Sequence, residues 1–233
     1  MSLTLYQIPI SHNCAKVRTA LARKELAYEV VDVPPGDRAR VREISGRGLV
    51  PVLVDGENVV SDSTRILLHL EERYPEPPLL PREPAARAEC LLLEDWADRA
   101  LMDLTRRLAY WQLLCRPGGL VRAWGMPERG LGSAVRSRVA AMVVRRRFGL
   151  SERQNRFDEA EARQVAALAI ERLGGRPWLI GNALTLADIT LATMAAPLWA
   201  AAPAVRHDAN VARLLRWAPS AMDARDVALY RRG

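Results

Sequence analysis

Five prolines fall within the ten residues from Pro75 to Pro84: Pro75, Pro77, Pro78, Pro81 and Pro84. Each fixes φ and lacks an amide proton, so neither a helix nor a central strand can run through the stretch. The chain therefore reads as two halves joined by a hinge. Before the hinge, short Val- and Leu-rich runs alternate with helical patterns. After it, long Ala/Leu/Arg-rich segments carry almost no strand signal. A chain of 233 residues is long enough for one large domain or two small ones.

In the first half, Leu3 to Ile8 reads as a strand and residues 14–26 as a helix with Cys14, Val17 and Leu21 on one face. Tyr28 to Val33 reads as a second strand, and Arg38 to Ile44 as a short helix. From Pro51 to Val60 the sequence reads as a hairpin turning at Asp55 and Gly56, because Gly readily takes the positive φ that such turns need. Ser63 to Arg73 closes the half as a helix with Ile66, Leu67 and Leu70 inward. The order β-α-β-α-β-β-α implies a mixed sheet covered by helices. In the second half, Ala85 to about Cys115 is one long amphipathic pattern stopped by Pro117, Gly118 and Gly119. Residues 133–148 and 157–173 give two more helices, the latter stopped at Gly174 and Gly175. Thr185 and Asp188 have the spacing of a helix start close to a capping box.

Net charge is +7, and only Lys16 and Lys24 among the 34 basic residues are lysines. The arginines are spread along the chain and interleaved with 27 acidic residues. A dispersed excess of this kind argues against nucleic acid, which needs a clustered basic face. The densest run, Arg136 to Arg163, reads as a solvated helix face, with an anion or nucleic-acid patch as the alternative. Cys14, Cys90 and Cys115 form no CxxC pair, and His12, His69 and His207 do not join them at zinc spacing, so no metal site is expected. A reduced, cytoplasmic setting fits three scattered cysteines. The longest nonpolar stretch, Ile189 to Val205, is broken by Pro197 and Pro203. It suits a helix buried in protein rather than a membrane span.

Four pieces in order resemble the glutathione transferase superfamily. They are a strand followed by Ser11 to Arg18 (SHNCAKVR); Val50 and Pro51 with the strand to Gly56, then Asp62 and Ser63 opening a helix; the hinge from Glu72 to Pro78; and Pro177 to Asp188. The S-H-x-C start is most similar to bacterial members. The resemblance covers nearly the whole chain. It implies an α/β plus all-α fold: a thioredoxin-like, thiol-binding domain with a mixed four-stranded sheet (1–76), a proline-rich linker (77–84) and an all-helical domain (85–233). It also implies a homodimer.

What the resemblance implies for chemistry rests on few residues. Ser11, at the turn from strand to helix, would donate a hydrogen bond to the glutathione sulfur and favour thiolate; equally, it would simply cap the helix. Cys14 takes the second-cysteine position of thioredoxin-like CxxC sites. It is either a buried structural thiol or the carrier of thiol-disulfide chemistry. Val50–Pro51 would be cis, with the Val50 backbone pairing to the cysteinyl unit of glutathione; the alternative is a plain strand start. Asp62 would receive the glutathione α-ammonium and Ser63 its α-carboxylate, Asp standing where the family usually has Glu or Gln; both are also ordinary capping residues. Arg38 and Arg47 are candidates for the glycyl carboxylate, although solvation suits them too. A pocket for a hydrophobic electrophile is expected between the Pro9–His12 loop and Arg106–Cys115, with Tyr110, Trp111 and Trp124 as candidate aromatics or ordinary core. The co-substrate would be glutathione or another small thiol, with no permanently bound cofactor and a role in detoxification. The alternative readings are a catalytically silent binding protein on the same fold and a glutathione-dependent thiol-disulfide reductase.

Overall fold

Leu3, Leu5 and Gln7 alternate with half-buried neighbours along β1 (Leu3–Gln7), the period-two signature of a strand with one face in a core. The computed structural model describes residues 2–34, 37–116, 118–123 and 133–231. β1 pairs in parallel with β2 (Tyr28–Asp32) and antiparallel with β3 (Val52–Asp55), which pairs antiparallel with β4 (Asn58–Ser61). The sheet order is β2-β1-β3-β4. The parallel pair requires a crossover, which α1 (His12–Arg23) supplies. α2 (Ala39–Ser45) links β2 to β3, and α3 (Ser63–Arg73) follows β4. This is the expected thioredoxin-like arrangement.

Several boundaries differ from the sequence reading by a residue or more. β1 ends at Gln7, one residue early, because the chain turns at Ile8. α1 begins at His12 rather than residue 14, because Ser11 already occupies the N-cap, and stops at Arg23 because Glu25 takes a positive φ of 56°. The hairpin's two loop residues are Gly56 and Glu57, with Asp55 paired to Asn58 as the last strand pair. Gly56, at φ 61°, fills the first loop position, where only glycine is comfortable. The Asp55 carboxylate instead accepts from the Tyr74 hydroxyl (3.0 Å) and meets His69 Nε2 at 2.9 Å.

Among the described residues, the secondary structure after the hinge is all helical. α4 (Pro84–Cys115) starts with Pro at its first turn, and the Glu83 carboxylate accepts from the Ala85 and Ala86 amides at 2.9 and 2.6 Å. α5 (Gly119–Ala123), α6 (Ser133–Phe148) and α7 (Glu152–Leu173) follow. α7 begins five residues before the expected Phe157 because the Ser151 hydroxyl caps the Gln154 amide at 3.1 Å; the polar stretch after it is an exposed first turn, not a linker. α8 (Leu186–Ala195) is buried at all ten positions, which accounts for the nonpolar run, and a 3-10 turn over Ala196–Ala200 ends it. α9 (Pro203–Arg206), α10 (Ala209–Trp217), a second 3-10 turn and α11 (Ala224–Arg231) complete the chain. The Thr185–Asp188 motif is in place: the Asp188 carboxylate accepts from the Thr185 amide and hydroxyl at 2.8 and 2.7 Å, and from the Leu179 amide at 2.8 Å.

One apolar core runs through both halves, from Leu5, Val17, Leu21 and Leu67 on the sheet side to Leu101, Leu108 and Ile189 on the helical side. Residues 74–83 between them hold no helix or strand. This hinge is fastened by Glu71, whose carboxylate accepts from the Leu79 and Leu80 amides (3.0 and 3.1 Å) and from Lys24 Nζ (2.7 Å). A second polar link lies inside the core. Lys16 on α1, fully buried, donates to Thr64 on α3 (3.0 Å) and to Glu94 and Asp98 on α4 (3.2 Å to the latter). A buried ammonium is tolerated only when paired and hydrogen-bonded in this way.

Candidate active site

The sheet register sets the site. Tyr6 of β1 lies opposite Val52 of β3, which lies opposite Ser61 of β4. Continuing off that row, the turn to Ser11, the Val50–Pro51 bond and the Asp62–Ser63 pair all leave the sheet at the same end of its strands. Three pieces far apart in sequence are brought together by pairing alone.

Ser11 is held at the mouth of α1. Its amide donates to the Ile8 carbonyl (3.0 Å), its carbonyl accepts the first helical bond from Ala15 (2.9 Å), and its backbone is extended at φ −76°, ψ 121°. The hydroxyl makes no capping bond. The capping role open to Ser11 from sequence is therefore not taken up, and the first-turn amides keep their partial positive charge without a side-chain acceptor. The preceding carbonyls are pinned in turn: Arg18 Nη2 donates to Pro9 (3.0 Å) and the Tyr230 hydroxyl of α11 to Ile10 (3.0 Å). Arg18 is itself fixed by Asp226 of α11, to which its Nε donates at 3.0 Å.

Cys14, one turn on, is wholly buried. Burial pushes its thiol pKa up, against the smaller opposite pull of the Ile8 backbone and the Ser11 side chain. An enclosed neutral thiol is a poor nucleophile. Val50–Pro51 is cis, and among the described residues the Val50 amide and carbonyl take part in no loop hydrogen bond. Asp62 sits at the N-cap of α3 with a positive φ of 86°, and its carboxylate accepts from the Arg65 amide at 3.1 Å. It is exposed, so the other carboxylate lone pairs remain open to a ligand. Ser63 follows, buried at the helix start.

Sequence reasoning passed over His12. It is 5% exposed, its Nε2 has no partner, and burial, with the charges of Arg106 and Lys16, lowers its pKa to about 3. Its place directly after Ser11, at the first position of the helix, was the available signal. Arg38 is half-buried with Nη1 unpartnered, while Arg47 is exposed. Tyr110 and Trp111 are half-buried and pack on Leu120, Val144 and Leu150, with Tyr110 stacked on Phe148 at 4.9 Å. Trp124 lies outside the described residues. Beside this packing is a cleft of about 380 Å³ lined by Asp103, Arg106, Arg107, Arg147 and Phe148. A larger groove of about 590 Å³ lies along the hinge and is lined by none of the candidate residues.

Residues 5–78 match the family described as glutathione S-transferase, N-terminal domain. Over the whole chain, the structure of a glutathione S-transferase from Rhodospirillum rubrum is similar with TM-score 0.69 and 28% identity, covering 98% of this chain and 91% of that one. Residues 5–78 are a glutathione S-transferase N-terminal domain, and the whole chain shares the fold of the superfamily's solved structures. Another member, from Methylobacterium radiotolerans and solved in complex with glutathione sulfonate, is 25% identical with TM-score 0.64, covering 98% of this chain and 93% of that one. Among curated relatives, glutathione S-transferase Z1 of Arabidopsis thaliana is 46% identical over 90 residues, 37% of this chain and 41% of that protein. The chain thus spans about two fifths of that relative's length. The superfamily's fold is present as a whole, a four-stranded mixed sheet followed by helices.

Proposed function

We propose that this protein transfers glutathione to small electrophiles, with Ser11 as the group that favours the thiolate. The observation that carries the reading is the shared end of three paired strands, from which lead a helix mouth that the Ser11 hydroxyl leaves uncapped, a cis Val50–Pro51 bond and the Asp62–Ser63 helix start. In this scheme the Val50 backbone pairs with the cysteinyl unit as an added strand would. Asp62 receives the α-ammonium, and Ser63 with the α3 N-terminus receives the α-carboxylate. The Ser11 hydroxyl and the α1 amides lower the thiol pKa. The thiolate sulfur attacks the electrophilic carbon, the S–C bond forms as the bond to the leaving anion breaks, and the thiol proton passes to solvent. No metal or bound cofactor enters.

Calorimetric titration with reduced glutathione, followed by turnover of 1-chloro-2,4-dinitrobenzene, tests the reading; absence of both binding and turnover defeats it. A second reading, a catalytically silent binding protein, is favoured by one observation. The Asp62 carboxylate, one methylene shorter than the usual Glu, is already engaged by the Arg65 amide. Binding without turnover would select it. We also place the protein as a cytoplasmic homodimer, in which exposed Val59 and Leu92 would become covered. Sedimentation showing only monomer at micromolar concentration would refute the dimer.

A further inference from the structure

Among the described residues, five buried side-chain nitrogens or oxygens have no hydrogen-bond partner. Four of them belong to His12, Asn13, Arg38 and Arg106, the residues around the mouth of α1 and the facing stretch of α4. Buried polar atoms are normally satisfied, so orphans gathered at one place mark where something else binds.

The charge there is unbalanced. Arg107 is neutralised by Asp158, with bonds of 2.8 and 2.6 Å. Arg106 donates through Nη2 to the half-exposed Asp103 but leaves Nε orphaned. Arg147 has no carboxylate partner among the described residues, and neither has Arg38. Arg106 and Arg147 stand 5.2 and 5.8 Å from the centroid of the Phe148 ring. The cleft they line, of about 380 Å³, suits one substituted aromatic ring. Asn13 in the first turn of α1 donates to Met102 Sδ of α4 at 3.6 Å, one turn before Arg106, so the α4 stretch that lines the cleft packs against the helix start that follows Ser11. Burial lowers the pKa of Arg106, and burial, with the charges of Arg106 and Lys16, keeps His12 neutral at pH 7, so the local charge is positive.

We propose that the second substrate is an aromatic carboxylate, whose anionic group is received by Arg106, Arg147 and His12 while its ring lies against Phe148. This replaces the hydrophobic electrophile expected from sequence by an amphipathic anion. For turnover the inference rests on the transferase reading; for binding it does not. Arg38 is left to the glutathione glycyl carboxylate. Charge-assisted bonds to two guanidinium groups supply a discrimination that a neutral analogue cannot match.

The test separates binding from chemistry. Binding of unreactive 3,5-dinitrobenzoate and 3,5-dinitrobenzamide is measured by calorimetry, and conjugation of 4-chloro-3,5-dinitrobenzoate and its amide with glutathione is followed in parallel. In conjugation the sulfur displaces chloride at the ring carbon and the thiol proton goes to solvent. The carboxylate should bind about tenfold or more tightly than the amide. The preference should fall to about twofold in Arg147→Met and vanish in Arg106→Met combined with Arg147→Met, whereas Arg146→Met, one residue away on the same helix, should keep it. Arg147 is exposed, so its replacement leaves the core intact. Equal binding of the two probes, or a preference that survives both substitutions, overturns the inference. Equal binding with conjugation of both chloro compounds overturns this site while the transferase reading stands. A carboxylate preference in binding without any conjugation supports the site and defeats the transferase.

Discussion

The Tyr230 hydroxyl donates to the Ile10 carbonyl at 3.0 Å, joining α11 to the residue just before Ser11. Four residues earlier on the same helix, Asp226 accepts from Arg18, which also holds the Pro9 carbonyl at 3.0 Å. The turn that presents Ser11 is thus fixed from α1 and α11 together. Tyr230 is buried, and burial raises its pKa, so it stays a donor throughout the working pH range.

Tyr230→Phe keeps the ring and removes only this donor, leaving the Ile10 carbonyl without its partner. The expected cost is about 1–2 kcal/mol of stability, or roughly 2–4 °C in Tm per kcal/mol for a chain of this size. Conjugation should slow more than the stability loss explains, because the Ser11 hydroxyl loses its fixed aim. Thermal unfolding and kcat measured on the same preparations check this. Unchanged kcat with lowered Tm would make Tyr230 purely a structural tie.

Ser11→Ala removes a hydrogen bond to a charged sulfur, worth roughly 1.5–3 kcal/mol. At about 1.4 kcal/mol per pKa unit, the bound thiol should rise by about one to two units and conjugation at neutral pH slow about ten- to a hundredfold. Glutathione affinity should change little, because Val50, Asp62 and Ser63 still hold the peptide. Cys14→Ser should leave conjugation nearly intact and lower stability, since it places a hydroxyl in a fully enclosed position. Thiolate absorbance and turnover against pH separate the two; loss of activity in Cys14→Ser alone would reverse the roles.

The fold was legible because its signals are local. The prolines from Pro75 to Pro84, the alternation in β1 and the Thr185–Asp188 start each act within a few residues, and all are in place. The misplaced boundaries were those where one side chain decides the end: Ser151 capping α7, or Gly56 taking a loop position. The expected site residues were legible as a motif, and strand register explains why they meet. His12, Arg106 and Arg147 were not read as a set. They come from α1, α4 and α6, and only packing shows that His12 Nε2 and Arg106 Nε are left without partners and that Arg147 has no carboxylate among the described residues. The buried Lys16 was invisible for the same reason, since its partners lie on other helices, 48 to 82 residues away in sequence.

His12 gives a pH dependence with a definite sign. Its pKa is lowered from 6.5 to about 3 by burial, with Arg106 on α4 and Lys16 on α1 adding to the shift. As pH falls below 6.5 the unfolded chain takes the proton first. This contribution is therefore complete above pH 6.5 and is lost toward pH 3, by up to about 1.4 kcal/mol per pH unit. Asp188 and Asp226, whose pKa values are raised mainly by burial, act in the opposite direction near their own titration. The comparison of wild type with His12→Gln isolates the histidine. Urea midpoints between pH 7 and pH 4.5 should fall more steeply for wild type, and parallel curves would show that His12 accepts a proton in the folded state.

Lys16 tests how the two halves are held together. Its ammonium is fully buried against Glu94 and Asp98, and Thr64 shares the Glu94 carboxylate, donating at 2.8 Å. Lys16→Met nearly preserves volume but strands a carboxylate that is itself 3% exposed. Removing one partner of a buried pair typically costs about 3–5 kcal/mol. Glu94→Leu alone strands the ammonium with only Asp98 and Thr64 and should cost a similar amount. The double variant removes both charges, so it should be more stable than either single variant, with a coupling of about 1–3 kcal/mol in the mutant cycle. Urea unfolding of the four proteins at pH 7 measures this. If the losses simply add, the Lys16–Glu94 pair contributes nothing of its own, and the junction between sheet and helices is held by its apolar core alone.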